Sequence, residues 1–262
     1  MKNIINSFII AFSMYSKIPM PQCEWKEENM SYAMVFWPWV GAVIGLLVYG
    51  WSCFGSLISL NQIFYVIILV MISVLVTGGI HLDGFLDTTD AMSSWQTRER
   101  RLEILKDSNS GAFAVIHCSV YFLLMVAAYS QLSKDIIPVV GLGFMLSRTM
   151  SAYAIVSFKK AKKDGSVAAL SRGASTKTVQ KIMLIYWIFL ALLMILVNPA
   201  YGLAALLGAF IVFAYYHYMA MKYFGGTTGD LAGWFLSVCE LVMPMACVIL
   251  KLIFEIVEVA SL

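Results

Sequence analysis

Residues 63–82 read IFYVIILVMISVLVTGGIHL, and the chain runs straight on into Asp83-Gly84-Phe85-Leu86-Asp87-Thr88-Thr89-Asp90. About twenty apolar residues in one helix cross the hydrocarbon core of a bilayer. Comparable runs stand at 34–57, 112–131, 136–157, 181–198, 201–221 and 232–254. Across the 262 residues, 61% are hydrophobic and 13% are charged, with mean hydropathy +0.82. A soluble domain carries about twice that charged share. The expected fold is all-α, a polytopic membrane helical bundle of about seven transmembrane helices in one domain, 1–262. Barrel strands are far shorter than these runs. The stretch from Lys2 to about Tyr15 is too short to span, and it reads as an interfacial or re-entrant helix.

Short connections (58–62, 132–135, 199–200) alternate with long charged ones (83–111, 158–180, 222–231), so the two kinds fall on opposite sides of the bilayer. Nearly all Lys and Arg lie in the long loops or the N-terminal segment. Lys134 and Lys251 fall on the other side, and Arg148 falls within a span. The positive-inside rule then puts the N-terminus and the long loops in the cytoplasm of a cell-membrane protein. A net charge of +3 is too small to point to nucleic acid. The five cysteines form no CxxC pair and read as small core residues, not as a disulfide framework or a metal site. Gly41-x3-Gly45, Gly141, Gly143, Gly202 and Gly208 read as close helix packing.

Chemistry is expected where carboxylates repel each other. Asp83, Asp87 and Asp90 are spaced i, i+4, i+7, which on a helix confines them to an arc of about 60°. Three like charges on one face persist where a cation is shared or where the site does chemistry. Hard oxygen donors without Cys or several His favour Mg²⁺, with Mn²⁺ second, over Zn²⁺. Downstream, 95–107 reads as a helix bearing Arg98, Arg100 and Arg101, which either meets headgroups or binds phosphate. Lys106 beside Asp107 favours phosphate. Arg148 costs about 2.5–3.5 kcal/mol at mid-membrane and is either half of a buried ion pair or a phosphate clamp. Gly225-Gly226-Thr227-Thr228-Gly229-Asp230 has the glycines to approach a ligand closely, and Asp230 alternatively caps the last helix. Glu240, ten residues into that helix, is a buried carboxylate that could pair with Arg148. His81 lies off the aspartate face by about 160° and reads as a satisfied structural histidine. The residues alone describe a cytoplasm-facing, divalent-metal membrane enzyme acting on phosphates.

The chain also resembles the cobalamin synthase (adenosylcobinamide-GDP ribazoletransferase) family. Gly78-Gly79-Ile80-His81-Leu82-Asp83-Gly84-Phe85-Leu86-Asp87-Thr88-Thr89-Asp90 is similar to that family's central string. Leu102-Glu103-Ile104-Leu105-Lys106-Asp107-Ser108-Asn109-Ser110-Gly111-Ala112-Phe113 is similar to its second. Ser16-Lys17-Ile18-Pro19-Met20-Pro21, Leu146-Ser147-Arg148 and Gly225–Asp230 with Glu240 follow in the family's order. Ser16-Lys17 and Ala91-Met92 depart mildly from the pattern. The resemblance implies a Mg²⁺-dependent transfer. Adenosylcobinamide-GDP and α-ribazole, or its 5′-phosphate, would give adenosylcobalamin, or its phosphate, and GMP. On it, Asp83, Asp87 and Asp90 are the expected metal ligands, and one of them or Asp107 is the proton acceptor. Lys106, Arg148, Gly225, Gly226, Thr228 and Asp230 are the expected phosphate contacts. Two rivals are weaker. A CDP-alcohol phosphotransferase needs an Ala-Arg after Asp83-Gly84 and further spaced aspartates, which are missing. An ion-coupled transporter would place its acids near the midplane in paired repeats.

Overall fold

The computed structural model describes residues 2–30, 32–58, 60–107, 109–161 and 176–261. Among these the chain forms helices α1 (Lys2–Tyr15), α2 (Glu27–Met30), α3 (Ala33–Leu57), α4 (Gln62–Thr77), α5 (Ile80–Ser93) and α6 (Arg98–Ile104). Then follow α7 (Ala112–Ser130), α8 (Ile137–Ser157), α9 (Thr176–Val197), α10 (Pro199–Met219) and α11 (Gly229–Ala260). A π turn at Ala220–Phe224 prolongs α10. The expected all-α membrane bundle is what the chain forms. Six helices are long and apolar enough to cross a membrane: α3, α7, α8, α9, α10 with its π turn, and α11. Helices α4 and α5 make a seventh crossing only if counted as one bent span.

That bend corrects the reading of 63–82 as one continuous span. Helix α4 stops at Thr77, and α5 leaves it at 93°. The cause is a pair of adjacent glycines, Gly78 and Gly79, with φ of 65° and 81°. Side chains with a Cβ avoid this left-handed region, so the pair ends one helix and re-aims the next. Both amides donate back to the Val74 carbonyl. The aspartates therefore do not lie in a loop: they ride on α5, which turns away from the direction of the span.

Helix α8 is the axis of the bundle and is buried all round. Helix α3 lies along it, backbone on backbone. A Cβ on Gly41 would stand 2.2 Å from the Phe144 carbonyl oxygen, and one on Gly45 the same distance from that of Gly141. The small-residue stripe is packing, as expected. Side chains such as Leu75, Leu123, Leu196, Leu207 and Ile256 face outward, as lipid-facing positions do. Among the described residues no disulfide forms, and only Cys239 and Cys247 are buried while Cys53 is exposed. An apolar run marks a span without saying which face of it turns inward. Helix α1, 14 residues long, packs on α3. Lys251 at the far end of α11 donates to the Gln131 carbonyl at 3.1 Å, which brings it to the α7–α8 turn that carries Lys134.

Candidate active site

The site forms where α5 crosses the start of α11. Gly84 is buried in that crossing, and a Cβ on it would lie 2.7 Å from the Asp230 carbonyl oxygen. Gly233 meets the His81 backbone from the other side, 2.9 Å from its carbonyl oxygen by the same measure. Two glycines thus let the helices touch and bring Asp230 beside Asp83 and Asp87. Thr228, not Asp230, caps α11: its hydroxyl accepts from the Leu231 amide at 3.2 Å. Asp230 then adds its charge to the cluster.

Asp83 is exposed, whereas Asp87 and Asp90 are half-buried. Partial burial holds the Asp87 carboxyl up to about 6, and the negative charges of Asp83, Asp230, Asp90 and Asp107 add to it in that order. Five carboxylates therefore share one field. Asp107 is fully exposed, and hydrogen bonds from the Asn109 amide and side chain lower its carboxyl below the usual range.

Several expected roles change. Asp90 accepts from the Gly111 amide, and at 2.8 Å from the Ala114 amide, so it caps the start of α7 from across the chain. Among the described residues no three His, Cys, Asp or Glu side chains stand ready to hold one ion. The ligand set Asp83, Asp87 and Asp90 is therefore not a preformed cage.

Arg148 is fully buried, and its Nη1 lies 2.5 Å from Oε1 of Glu240, itself 6% exposed. Ser73 and Ser147 donate to the same carboxylate at 3.1 and 3.2 Å. Of the two readings of Arg148, the ion pair is the one the geometry holds. The loop amides are also spoken for. Those of Gly225 and Gly226 donate to the Ala220 carbonyl, and that of Thr227 to the Lys159 carbonyl. The space beside Gly226 is filled by the Lys160 backbone, and that beside Gly225 by the Arg98 guanidinium. The glycines serve close packing, and no open cradle of amides remains at 225–227.

The loop does gather cations. Arg98 sits against Gly225, and Arg101, nearly buried, stacks 4.8 Å over the Tyr223 ring. Arg100 instead pairs with Glu103 at the surface, at 2.7 Å. Lys106 is exposed beside Asp107.

His81 is not satisfied as a structural histidine should be. It is 9% exposed, and its Nε2 has no hydrogen-bond partner among the described residues. It lines a cavity of about 410 Å³ with Tyr15, Trp37, Ile155, Asp83 and Asp230. Tyr15 and Trp37 carry no sequence signal of this, because aromatics in apolar runs are ordinarily core. Only the packing of α1 and α3 beside α5 reveals them.

A family model described as cobalamin-5-phosphate synthase matches residues 7–248. An adenosylcobinamide-GDP ribazoletransferase of Lachnoclostridium phytofermentans is 46% identical over 245 residues, covering 94% of both chains. One of Clostridium botulinum (strain Alaska E43) is 33% identical, covering 92% of this chain and 96% of its own. One of Geobacillus sp. (strain WCH70) is 30% identical over 92% and 94%. No solved structure matches. With a match over nearly its whole length and relatives of this identity, the chain belongs to the cobalamin-5-phosphate synthase family.

Proposed function

We propose that this protein joins adenosylcobinamide-GDP to α-ribazole or its 5′-phosphate, the late step of cobalamin biosynthesis that its relatives are named for. The observation that carries the reading is the α5–α11 crossing, where Asp83, Asp87 and Asp230 share one field. A ribose hydroxyl of the acceptor attacks the phosphorus on the cobinamide side of the diphosphate. The new P–O bond forms as the bond to GMP breaks. One carboxylate of the cluster, or Asp107, takes the hydroxyl proton. Arg98 and Lys106 hold phosphate oxygens on the side facing α6.

Mg²⁺ fits these donors. They are hard oxygens, their mutual repulsion is relieved by a cation, and Mg²⁺ usually takes one or two carboxylates and completes its shell with water and substrate phosphate. A ready-made three-residue cage is therefore not required. Asp83, Asp87 and Asp230 would hold the ion. Bound there, it would neutralise charge on the diphosphate and the departing GMP.

The protein sits in the cell membrane with the cluster toward the cytoplasm. In support, Lys17 packs on Gly78 at the α4–α5 bend, and α6 carries its arginines at the same end. Lys251 and the turn bearing Lys134 mark the opposite end.

The test is GMP release by the purified protein in liposomes, with adenosylcobinamide-GDP, α-ribazole and Mg²⁺. GMP matched by cobalamin, and lost with EDTA or in Asp87→Asn, is the expected result. Folded protein that releases no GMP overturns the reading.

A further inference from the structure

We infer that the cavity beside the carboxylates receives the base of the acceptor nucleoside, a bicyclic heteroaromatic ring of mainly apolar character; this rests on the transfer reaction proposed above. Its volume of about 410 Å³ lies within the usual range for small-molecule pockets. One wall is aromatic: Tyr15 and Trp37 stack at 4.4 Å and 23°, and the His81 ring lies 6.2 and 5.9 Å from them. Met14, Met30 and Ile155 supply apolar and polarisable surface around it.

Two buried polar atoms of lining residues lack partners among the described residues. They are Nε1 of Trp37, which is 1% exposed, and Nε2 of His81. Neither atom presents surface to the cavity, so a ring bound there meets the aromatic wall and the methionines rather than these two groups.

The competing occupant is the guanine of the nucleotide donor. Guanine presents three adjacent polar groups on one edge, and a pocket for it needs a matching set of partners. The carboxylates lining this cavity are Asp83 and Asp230, both already assigned to the diphosphate. Distance argues the same way. The acceptor's base is one sugar from its attacking hydroxyl. Guanine is separated from the reacting phosphorus by a second phosphate and a ribose. A cavity walled by Asp83 itself suits the nearer ring.

Two measurements test this in the full-length protein in liposomes. First, Tyr15→Leu replaces a lining ring by an aliphatic side chain. The KM for α-ribazole should rise about three- to tenfold, the worth of one aromatic ring pair. The KM for adenosylcobinamide-GDP and kcat should stay within about twofold. Second, an azido-benzimidazole riboside is photolysed with unsubstituted protein, which does not depend on any variant folding. Labelled peptides should contain Tyr15, Trp37 or His81, and α-ribazole but not GMP should displace the label. A raised KM for adenosylcobinamide-GDP alone, label displaced by GMP, or label mapping elsewhere overturns the assignment while leaving the transfer reaction standing. Absence of GMP release by unsubstituted protein removes the transfer reaction instead, and the photolabel still reports on the cavity.

Discussion

Asp83 and Asp90 lie seven residues apart on the same helix, yet the structure gives them different work. Asp83 stands exposed in the shared negative field, while Asp90 spends both oxygens on the first amides of α7. Removing a cap costs about 0.5–2 kcal/mol. Asp90→Ala should therefore lower the melting temperature in detergent by several degrees. Asp83→Asn should leave melting unchanged and reduce GMP release about a hundredfold or more, as loss of charge stabilisation does. Thermal scans and initial rates on the two variants check the contrast. Arg148 and Glu240 make the second case. Breaking a buried pair costs about 3–5 kcal/mol, whereas replacing both partners by apolar residues is often neutral. Glu240→Ala should fail to accumulate in membranes. Arg148→Met combined with Glu240→Leu should restore expression and keep GMP release within about tenfold. A folded but inactive double variant would return Arg148 to the phosphates. The sequence marked every one of these residues as unusual. It could not apportion their roles, because Gly111, Ala114 and Ser73 reach them only once the helices are packed.

The spans were legible from hydropathy, whereas the caps that set their first residues emerge only in the structure. Asn61, Thr97, Asn198 and Thr228 each accept from the first turn of the helix they precede. The failure at Thr77 has a physical reason. Hydropathy averaged along 63–82 is blind to φ, and two left-handed glycines are apolar enough to pass as span. The α5–α11 crossing was invisible for another reason: it joins residues some 150 positions apart through two glycines, Gly84 and Gly233. Its tolerance is small. Gly84→Ala puts a methyl against the Asp230 backbone, which cannot move aside as a side chain would. The helices must part by a fraction of an ångström, and Asp230 goes with α11. Misplacement of about 1 Å costs on the order of a hundredfold in rate. The variant should fold, keep its helical circular dichroism, and lose kcat while its KM values change little.

At the scale of the molecule, the bend joins two helices with different obligations. Helix α4 offers 16 residues, about 24 Å, and α11 offers 32, about 48 Å, against a hydrocarbon core of about 30 Å. A short helix meets a thick bilayer by thinning it or sinking, and a long helix meets the same bilayer by tilting. The two responses pull on α5, the helix that carries Asp83 and Asp87, from two sides, because it is joined to α4 through the paired glycines and packed on α11 at Gly84. Lipid acyl-chain length becomes a control variable for the reaction rate. In liposomes whose chains run from 14 to 22 carbons, with headgroup held fixed, GMP release should pass through a maximum and fall on both sides, with the protein equally folded throughout. A flat profile would mean that α5 and α11 travel together as one rigid piece.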